Sequence, residues 1–430
     1  MMNQYEELAG ILRSEVKPAL GCTGPTCISF VVAVARELVG GTARHVKVVM
    51  DRTNGAKNSD VGIPGTKLLG VDIAAALGAL CGDASAGLEN LHTVTPTDEI
   101  RAAEFAKQHV DVEIDWQYDR VGLYVDATVE TDRGTGRAII SKTHLNVVYK
   151  ERNGEVLYQA EEHDRNEASN ESSAPILKFK VRDFYEFASN VPLEQIVFLQ
   201  DAIDMNVSLA KAGLTEKLGV GFGGAFEKFT DDSMITYAKA LTSAASDARM
   251  CGRDLPAMSC ATSGNVGITA SLPLYALATV RGFSQEQLLR GLALSYLLTI
   301  LGKNYIGRLS AMCACAVTAS VGVAGGAAMM LGGDYDAVNH AIMNMIASVF
   351  GVVCDGARVT CAYKLANAIG IALESAMFAQ DGVNVPAGQG VVGYDADDTM
   401  ALMGRIARDG MITMDKALCR VMFERTKKAE

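Results

Sequence analysis

The stretch that decides the fold reads SAMCACAVTASVGVAGGAAMMLGG, from Ser310 to Gly333. It carries no charge and exceeds the roughly twenty residues that a bilayer span needs. Yet it is built of Ala, Gly, Ser, Cys and Val, with little Leu, Ile or Phe and no aromatic belt or basic flank. Small side chains let helices approach closely, and a helix apolar on every side suits the middle of a large helical domain. The spacing predicts a buried central helix over Leu309–Leu331.

Helical periodicity continues on both sides of it. Upstream it predicts helices at Leu193–Ala212, Asp231–Met250, Asn265–Val280 and Ser284–Ile300. Downstream it predicts Asp334–Phe350, Thr360–Phe378 and Asp397–Lys427, with Gly-rich or Pro-containing breakers between them. Strand signals gather earlier, at His45–Met50, Val110–Ile114, Gly122–Glu130, Ala138–Tyr149 and Glu155–Gln159. The last two flank the hairpin sequence Glu151-Arg-Asn-Gly154. Helices are expected between them at Val71–Leu80 and Pro96–Gln108, and before them at Tyr5–Leu12 and Pro25–Val39. The polar run Glu161–Ser173 reads as a mobile connection. The fold class is therefore α+β. A large, mostly helical catalytic domain (residues 176–430, joined by N-terminal helices in 1–42) carries a smaller α+β domain inserted at 43–175.

A formal net charge of −11 without a basic stripe argues against nucleic acid and anionic membrane surfaces as partners. The polar, acidic N-terminus Met-Met-Asn-Gln-Tyr-Glu-Glu is unlike a signal or transit peptide. Ten cysteines without a small disulfide-scaffold pattern indicate a reducing cytoplasm.

Three of those cysteines stand out. Cys354 and Cys361 are seven apart in Cys354-Asp-Gly-Ala-Arg-Val-Thr-Cys361, and Cys313 precedes them. On an unbroken helix, positions seven apart are separated by roughly 10 Å of rise, too far for one small inorganic group. Asp355-Gly356 supplies the break that lets Cys354 sit in a turn. Three thiolates with no obvious fourth partner suit an iron–sulfur cluster with one open iron, which can act as a Lewis acid. The competing reading is inert packing, the ordinary fate of a buried cysteine. Cys315 is assigned to packing, because a helix would point it away from Cys313. Zinc is disfavoured: no His lies near, and Cys22-x4-Cys27 has no second half.

Other candidates lie in loops. Cys22, in Gly21-Cys-Thr-Gly-Pro25, precedes a predicted helix start, where N–H groups and the dipole lower a thiol's pKa and make it a usable base. Thr262-Ser-Gly-Asn265 opens another helix and offers donors to a carboxylate, or is merely a cap. Asn54-Gly55 and Gly62-Ile-Pro-Gly-Thr66 read as turns that border a cleft or join elements. Arg308 can pair with a carboxylate or remain solvated. Gly219-x-Gly-x-x-Gly224 matches a dinucleotide fingerprint in spacing only, since no strand precedes it.

Taken together, Glu15-Val-Lys-Pro-Ala-Leu-Gly-Cys-Thr23, Ala244-Ala-Ser-Asp-Ala-Arg-Met250, Pro256-Ala-Met-Ser259, Ser263-Gly-Asn265 with Gly267-Ile-Thr-Ala270, Arg308-Leu-Ser-Ala-Met-Cys313 and Cys354-Asp-Gly-Ala357 with Cys361 give the chain a resemblance. Over nearly its whole length it resembles the L-cysteine desulfidase family, which is related to the α-chain of iron–sulfur L-serine dehydratases. The resemblance implies a [4Fe-4S] cluster on Cys313, Cys354 and Cys361, with Cys22 as base. It further implies that Ser263, Gly264 and Asn265 help hold a small amino acid, with His144 reaching in from the inserted domain; Thr23, Asn54 and Arg308 are the remaining candidate substrate contacts. Two departures remove polar groups: Gly24 stands where the family usually has Glu, and Cys260-Ala-Thr262 precedes Ser263 where it reads Asn-Ser-Gly.

The expected activity is β-elimination, for L-cysteine giving hydrogen sulfide, pyruvate and ammonia. Alternatives are a serine or threonine dehydratase with the same cluster, and a pyridoxal-phosphate β-eliminase using Lys228 or Lys239. A non-catalytic helical scaffold or membrane protein is the rival from another class. A homo-oligomer is left open.

Overall fold

The computed structural model describes residues 2–21, 23–116, 123–160, 174–228, 233–307 and 310–429. The chain opens with α1 (Met2–Glu15), β1 (Val16–Leu20) and α2 (Thr23–Val39). Strand β2 (Ala43–Asp51) leads to α3 (Arg52–Lys57), α4 (Val71–Cys81), α5 (Pro96–His109) and β3 (Val110–Asp115). Then follow β4 (Leu123–Thr131), β5 (Gly134–Lys142), β6 (Val147–Arg152) and β7 (Glu155–Gln159). These strands form one mixed sheet in the order β3-β2-β4-β5-β6-β7. Only β2 and β3 pair in parallel, because three helices cross between them, while the later strands are antiparallel neighbours.

The rest is helical but for one strand: α6 (Val181–Asn190), α7 (Gln200–Thr215), α8 (Phe222–Lys228), α9 (Met234–Met250), β8 (Pro256–Cys260), α10 (Gly264–Arg281) and α11 (Gln285–Ile306). It ends with α12 (Thr318–Met330), α13 (Tyr335–Val349), α14 (Cys361–Gln380), α15 (Ala396–Arg405) and α16 (Ile412–Ala429). The molecule is thus α+β and mostly helical. Among the described residues no helix is long and apolar enough to cross a membrane. The stretch that raised that question is the central helix α12, buried against α11, α13 and α14. Its glycines allow the close approach: a Cβ on Gly322 would lie 2.3 Å from the Ser295 carbonyl of α11.

Two apolar cores divide the structure. One joins α1 to the helices from α6 onward, and the other packs α2, α4 and α5 against the sheet. Residues 1–42 therefore divide between the cores, because α2 buries Ile28, Val31 and Ala35 against β4 and β5. Helix α16 also crosses over, with Cys419 and Met422 packed on Ala56 and Ile114.

Several local expectations are corrected. Val16–Leu20 is a strand paired antiparallel with Pro256–Cys260, a long-range pairing that no local period signals. Helix α12 starts only at Thr318, so Cys313 and Cys315 lie on irregular backbone. Ala138–Tyr149 is two strands split by a turn, where Lys142 has φ 70°. Asn54-Gly55 is helical, because the Asp51 side chain caps α3 by accepting from Asn54 N–H. A π turn at Ile406–Gly410 splits Asp397–Lys427, and two short 3-10 turns precede α7. The Gly219–Gly224 loop is filled by the molecule's own Asp247 carboxylate, which accepts from Gly223 N–H at 3.2 Å. The connection expected over Glu161–Ser173 lies outside the described residues.

Candidate functional site

Two chain segments bring the first pair of cysteines together by backbone pairing. Cys313 N–H donates to Val352 O and Cys354 N–H donates to Ala311 O, both at 2.8 Å. Met312 and Val353 form the bridge between these bonds. The two thiols are then within hydrogen-bonding reach of each other, and Cys315 reaches Cys313 as well. Cys361 arrives on the first turn of α14, where its sulfur accepts from Arg358 N–H and donates to Gly356 O, each at 3.4 Å.

The loop that delivers Cys361 is braced from outside. The Arg358 guanidinium donates to Asp355 O at 2.8 Å and Ala56 O at 3.3 Å, and pairs with Asp60. Lys364 pairs with Asp355. Gly356 has φ 98°, and a Cβ there would lie 2.3 Å from the Lys57 carbonyl. Only glycine lets the loop pass so close to α3 in that conformation.

Three of these thiols, Cys313, Cys354 and Cys361, have their pKa raised. The hydrogen bond that Cys313 donates to Cys315, together with burial, pushes Cys313 up to about 12, against the opposing bond that it accepts from Cys354. Cys354 is raised by its bond to Cys313 and by burial, against the nearby Lys57. Burial pushes Cys361 up to about 12.

These sulfurs form one wall of a cavity of about 200 Å³. Thr23, Asn54, His144, Ser263 and Asn265 line the same cavity, as do Cys313, Cys354 and Cys361. Gly264 is not on its wall but lies behind it, against Arg249. Cys22 and Arg308 lie outside the described residues. Neither Lys228 nor Lys239 is among the described lining residues, and Lys239 instead sits over the Phe226 ring.

Each element aims its side chain for a local reason. Asn54 sits in the first turn of α3 and donates from Nδ2 to the buried Asp51 carboxylate at 2.6 Å. His144 comes from the turn between β5 and β6, and burial holds its pKa below the ordinary imidazole value, so the ring is neutral. Ser263 and Asn265 follow Ala261 and Thr262, two consecutive non-glycine residues with φ 46° and 67°. Left-handed backbone at such residues costs about 1–3 kcal/mol each and persists only where the surroundings impose it. Here Ala261 N–H is fastened to Glu15 O at 3.0 Å, and Ser263 and Cys260 exchange backbone bonds.

Among the lining residues that escaped sequence reasoning are one thiol and three cations. Cys315 packs against the helical core and also lines the cavity with the other thiols, because the helix expected to turn it away from Cys313 starts only at Thr318. Lys57, Arg249 and Lys303 lie on helices, buried to 9% exposure or less, and no local punctuation marks them. Lys57 forms a buried pair with Asp415 at 2.8 Å and donates to Ser310 O at 3.2 Å. Burial opposes its charge, but Cys354 and Asp415 favour it more, so its pKa is raised. Arg249 sat in a segment that carries the family resemblance, the one signal that pointed near it. Gly24 also has a physical account: a Cβ there would lie 2.2 Å from Asn58 Oδ1, so a larger side chain is excluded unless Asn58 moves.

A UPF0597 protein of Caldanaerobacter subterraneus subsp. tengcongensis is 39% identical over 97% of this chain and 98% of its own. UPF0597 proteins of Clostridium tetani and Aeromonas hydrophila are each 36% identical, covering 99% and 98% of this chain and 100% and 97% of theirs. The family described as serine dehydratase alpha chain matches residues 85–420. With its cysteines gathered on one cavity wall and that match across most of its length, this chain belongs to the serine dehydratase alpha-chain family.

Proposed function

We propose that the chain is an iron–sulfur lyase that eliminates the β-substituent of a small amino acid, with L-cysteine the first substrate to test. The observation that carries this reading is the convergence of Cys313, Cys354 and Cys361 on a cavity whose lining also includes Thr23, Asn54, Ser263, Asn265 and the cations Lys57, Arg249 and Lys303. The donor set suits the group. Cys313 and Cys361 are buried, Cys354 is half-buried, and no Asp or Glu lines the cavity among the described residues. Among those residues no three His, Cys, Asp or Glu side chains are arranged to hold a single metal ion.

Cys313, Cys354 and Cys361 would hold a [4Fe-4S] cluster and give up their protons on loading. When bound, such a cluster offers an iron without a protein ligand as a Lewis acid for departing sulfide or hydroxide. Cys22 is proposed to take the Cα proton. Its sequence neighbours support that role: Gly21 O accepts from Arg249 at 2.7 Å, and Thr23 lines the cavity. Ser263 and Asn265 orient the substrate, and the neutral His144 closes the side reached from the sheet. The released aminoacrylate tautomerises and hydrolyses to a 2-oxo acid and ammonia. For L-cysteine the products are hydrogen sulfide, pyruvate and ammonia.

The match to the serine dehydratase alpha chain favours a second reading, loss of water from serine or threonine at the same site. Anaerobic protein incubated with cysteine, serine and threonine, scored for 2-oxo acid and sulfide, separates the two. The lyase reading predicts iron in the purified protein and 2-oxo acid from at least one amino acid. No iron after anaerobic preparation, or no 2-oxo acid from any of them, defeats it.

A further inference from the structure

In a chain of net charge −11, the described lining of the cavity includes Lys57, Arg249 and Lys303 and no Asp or Glu. Lys57 is already matched by Asp415. Arg249 is different. It is 9% exposed, lines the cavity and forms no ion pair among the described residues. Its guanidinium donates to Asn265 Oδ1 at 3.2 Å and Gly21 O at 2.7 Å, both neutral acceptors. Its Nε is buried without a hydrogen-bond partner and packs over Gly264, where a Cβ would lie 2.3 Å away. Two of the five N–H donors of a guanidinium are therefore used.

A buried cation without a counter-ion is strongly unfavourable. The open cavity beside Arg249 lets a ligand bring that counter-ion. No matching anion in the described wall awaits an ammonium, and at Gly24 the adjacent space is filled by the neutral Asn58 amide.

We infer that Arg249 receives the carboxylate of the substrate, and that the cavity selects small acids by that group without an ion pair to an α-ammonium. The inference rests on the lyase reading only for the word substrate, because binding alone tests it. Arg249 then has two tasks. It meets the ligand, and through Gly21 O and Asn265 it ties the ligand's position to the turn after β1 and to the first turn of α10.

Four probes dissect these contacts by calorimetric titration of the full-length protein: L-serine, 3-hydroxypropionate, 3-hydroxypropionamide and ethanolamine. The two carboxylates are expected to bind within about tenfold of each other. The neutral amide and the bare amine should each bind at least about 100-fold more weakly, as loss of a charge-assisted fork implies. In Arg249→Gln the preference for 3-hydroxypropionate over its amide should collapse to about threefold or less. Arg249→Lys, which keeps the charge but not the fork, should retain an intermediate preference.

A merely structural Arg249 would weaken all four probes alike and leave the acid-to-amide ratio unchanged. That result overturns the inference. So does an amide, or ethanolamine, that binds wild type as tightly as 3-hydroxypropionate does, or serine that binds more than about 100-fold tighter than it. Undetectable binding of 3-hydroxypropionate overturns it too. The wild-type comparison decides the matter even if Arg249→Gln does not fold. Absence of iron or of turnover would defeat the lyase reading and leave these titrations standing.

Discussion

The two sides of the cavity are built in different ways. The side contributed by the helical core is fixed by backbone: Cys313 and Cys354 are set by mutual N–H to carbonyl bonds, and Ser263 by its exchange with Cys260. The side contributed with the sheet is fixed by side chains: Asn54 leans on Asp51, and Lys57 on Asp415. Backbone pairing tolerates substitution of the side chain it carries, because the peptide groups stay matched. A side-chain pair in a buried setting does not, because removing one partner leaves the other unmatched. Changes on the helical side should therefore remove chemistry while sparing the fold, and changes on the sheet side should damage the fold.

The largest effect expected is on the helical side. Cys313→Ser, Cys354→Ser and Cys361→Ser should each bring cluster absorbance and turnover to background in anaerobically prepared protein, while thermal melting of the metal-free form stays close to wild type. Cys315→Ser should keep the cluster. If all three variants kept full absorbance, or if only Cys315→Ser lost it, the ligand assignment would be wrong.

On the sheet side, Lys57→Met strands the buried Asp415 carboxylate and should cost about 3–5 kcal/mol in denaturant unfolding. Adding Asp415→Leu should return most of that loss, since an apolar pair of similar volume replaces an ionic one. A double variant no more stable than Lys57→Met would mean that the pair is not what holds α16 against α3. Gly356→Ala probes the contact between the two sides. Left-handed backbone alone costs about 1–2 kcal/mol for a residue with a Cβ, and the Lys57 carbonyl must also move. Destabilisation should come with weaker iron retention, because the same loop carries Cys354 and Cys361.

The contrast also explains what was legible beforehand. The cysteines and Ser263–Asn265 sit beside glycines and at helix starts, so residue type and punctuation pointed to them together. The buried helix α12 was legible from its small residues, although its first turn was placed too early because Ser310–Val317 has the same composition. Arg249, Lys57 and Lys303 gave no such signal. Each is a cation on a regular helix, and a sequence alone suggests a solvated face. Arg249 gains its place from Gly21, 228 residues away, and Lys57 from Ser310, 253 residues away. The β1–β8 pairing was hidden for the same reason, because Pro18 and a short apolar run look like a loop until Pro256–Cys260 is set beside them.

His144 offers the smallest effect and the most direct reading of the sheet side. Burial lowers its pKa below the value of about 6.5 expected in the unfolded chain. Between the folded and unfolded values the unfolded chain binds the extra proton and the folded one does not. Stability from this residue is therefore fully present above about pH 6.5 and falls as the pH drops toward the folded pKa. His144→Asn removes the titration, so its stability should decline less steeply than wild type between about pH 6.5 and 5, with the curves running parallel above that window. Subtracting the two curves cancels the carboxylates common to both proteins, including the buried Asp51. Parallel curves across the whole range would mean that the ring meets water in the folded protein. It would then be no neutral wall of the cavity, and the sheet would contribute only Asn54, Lys57 and their neighbours on α3.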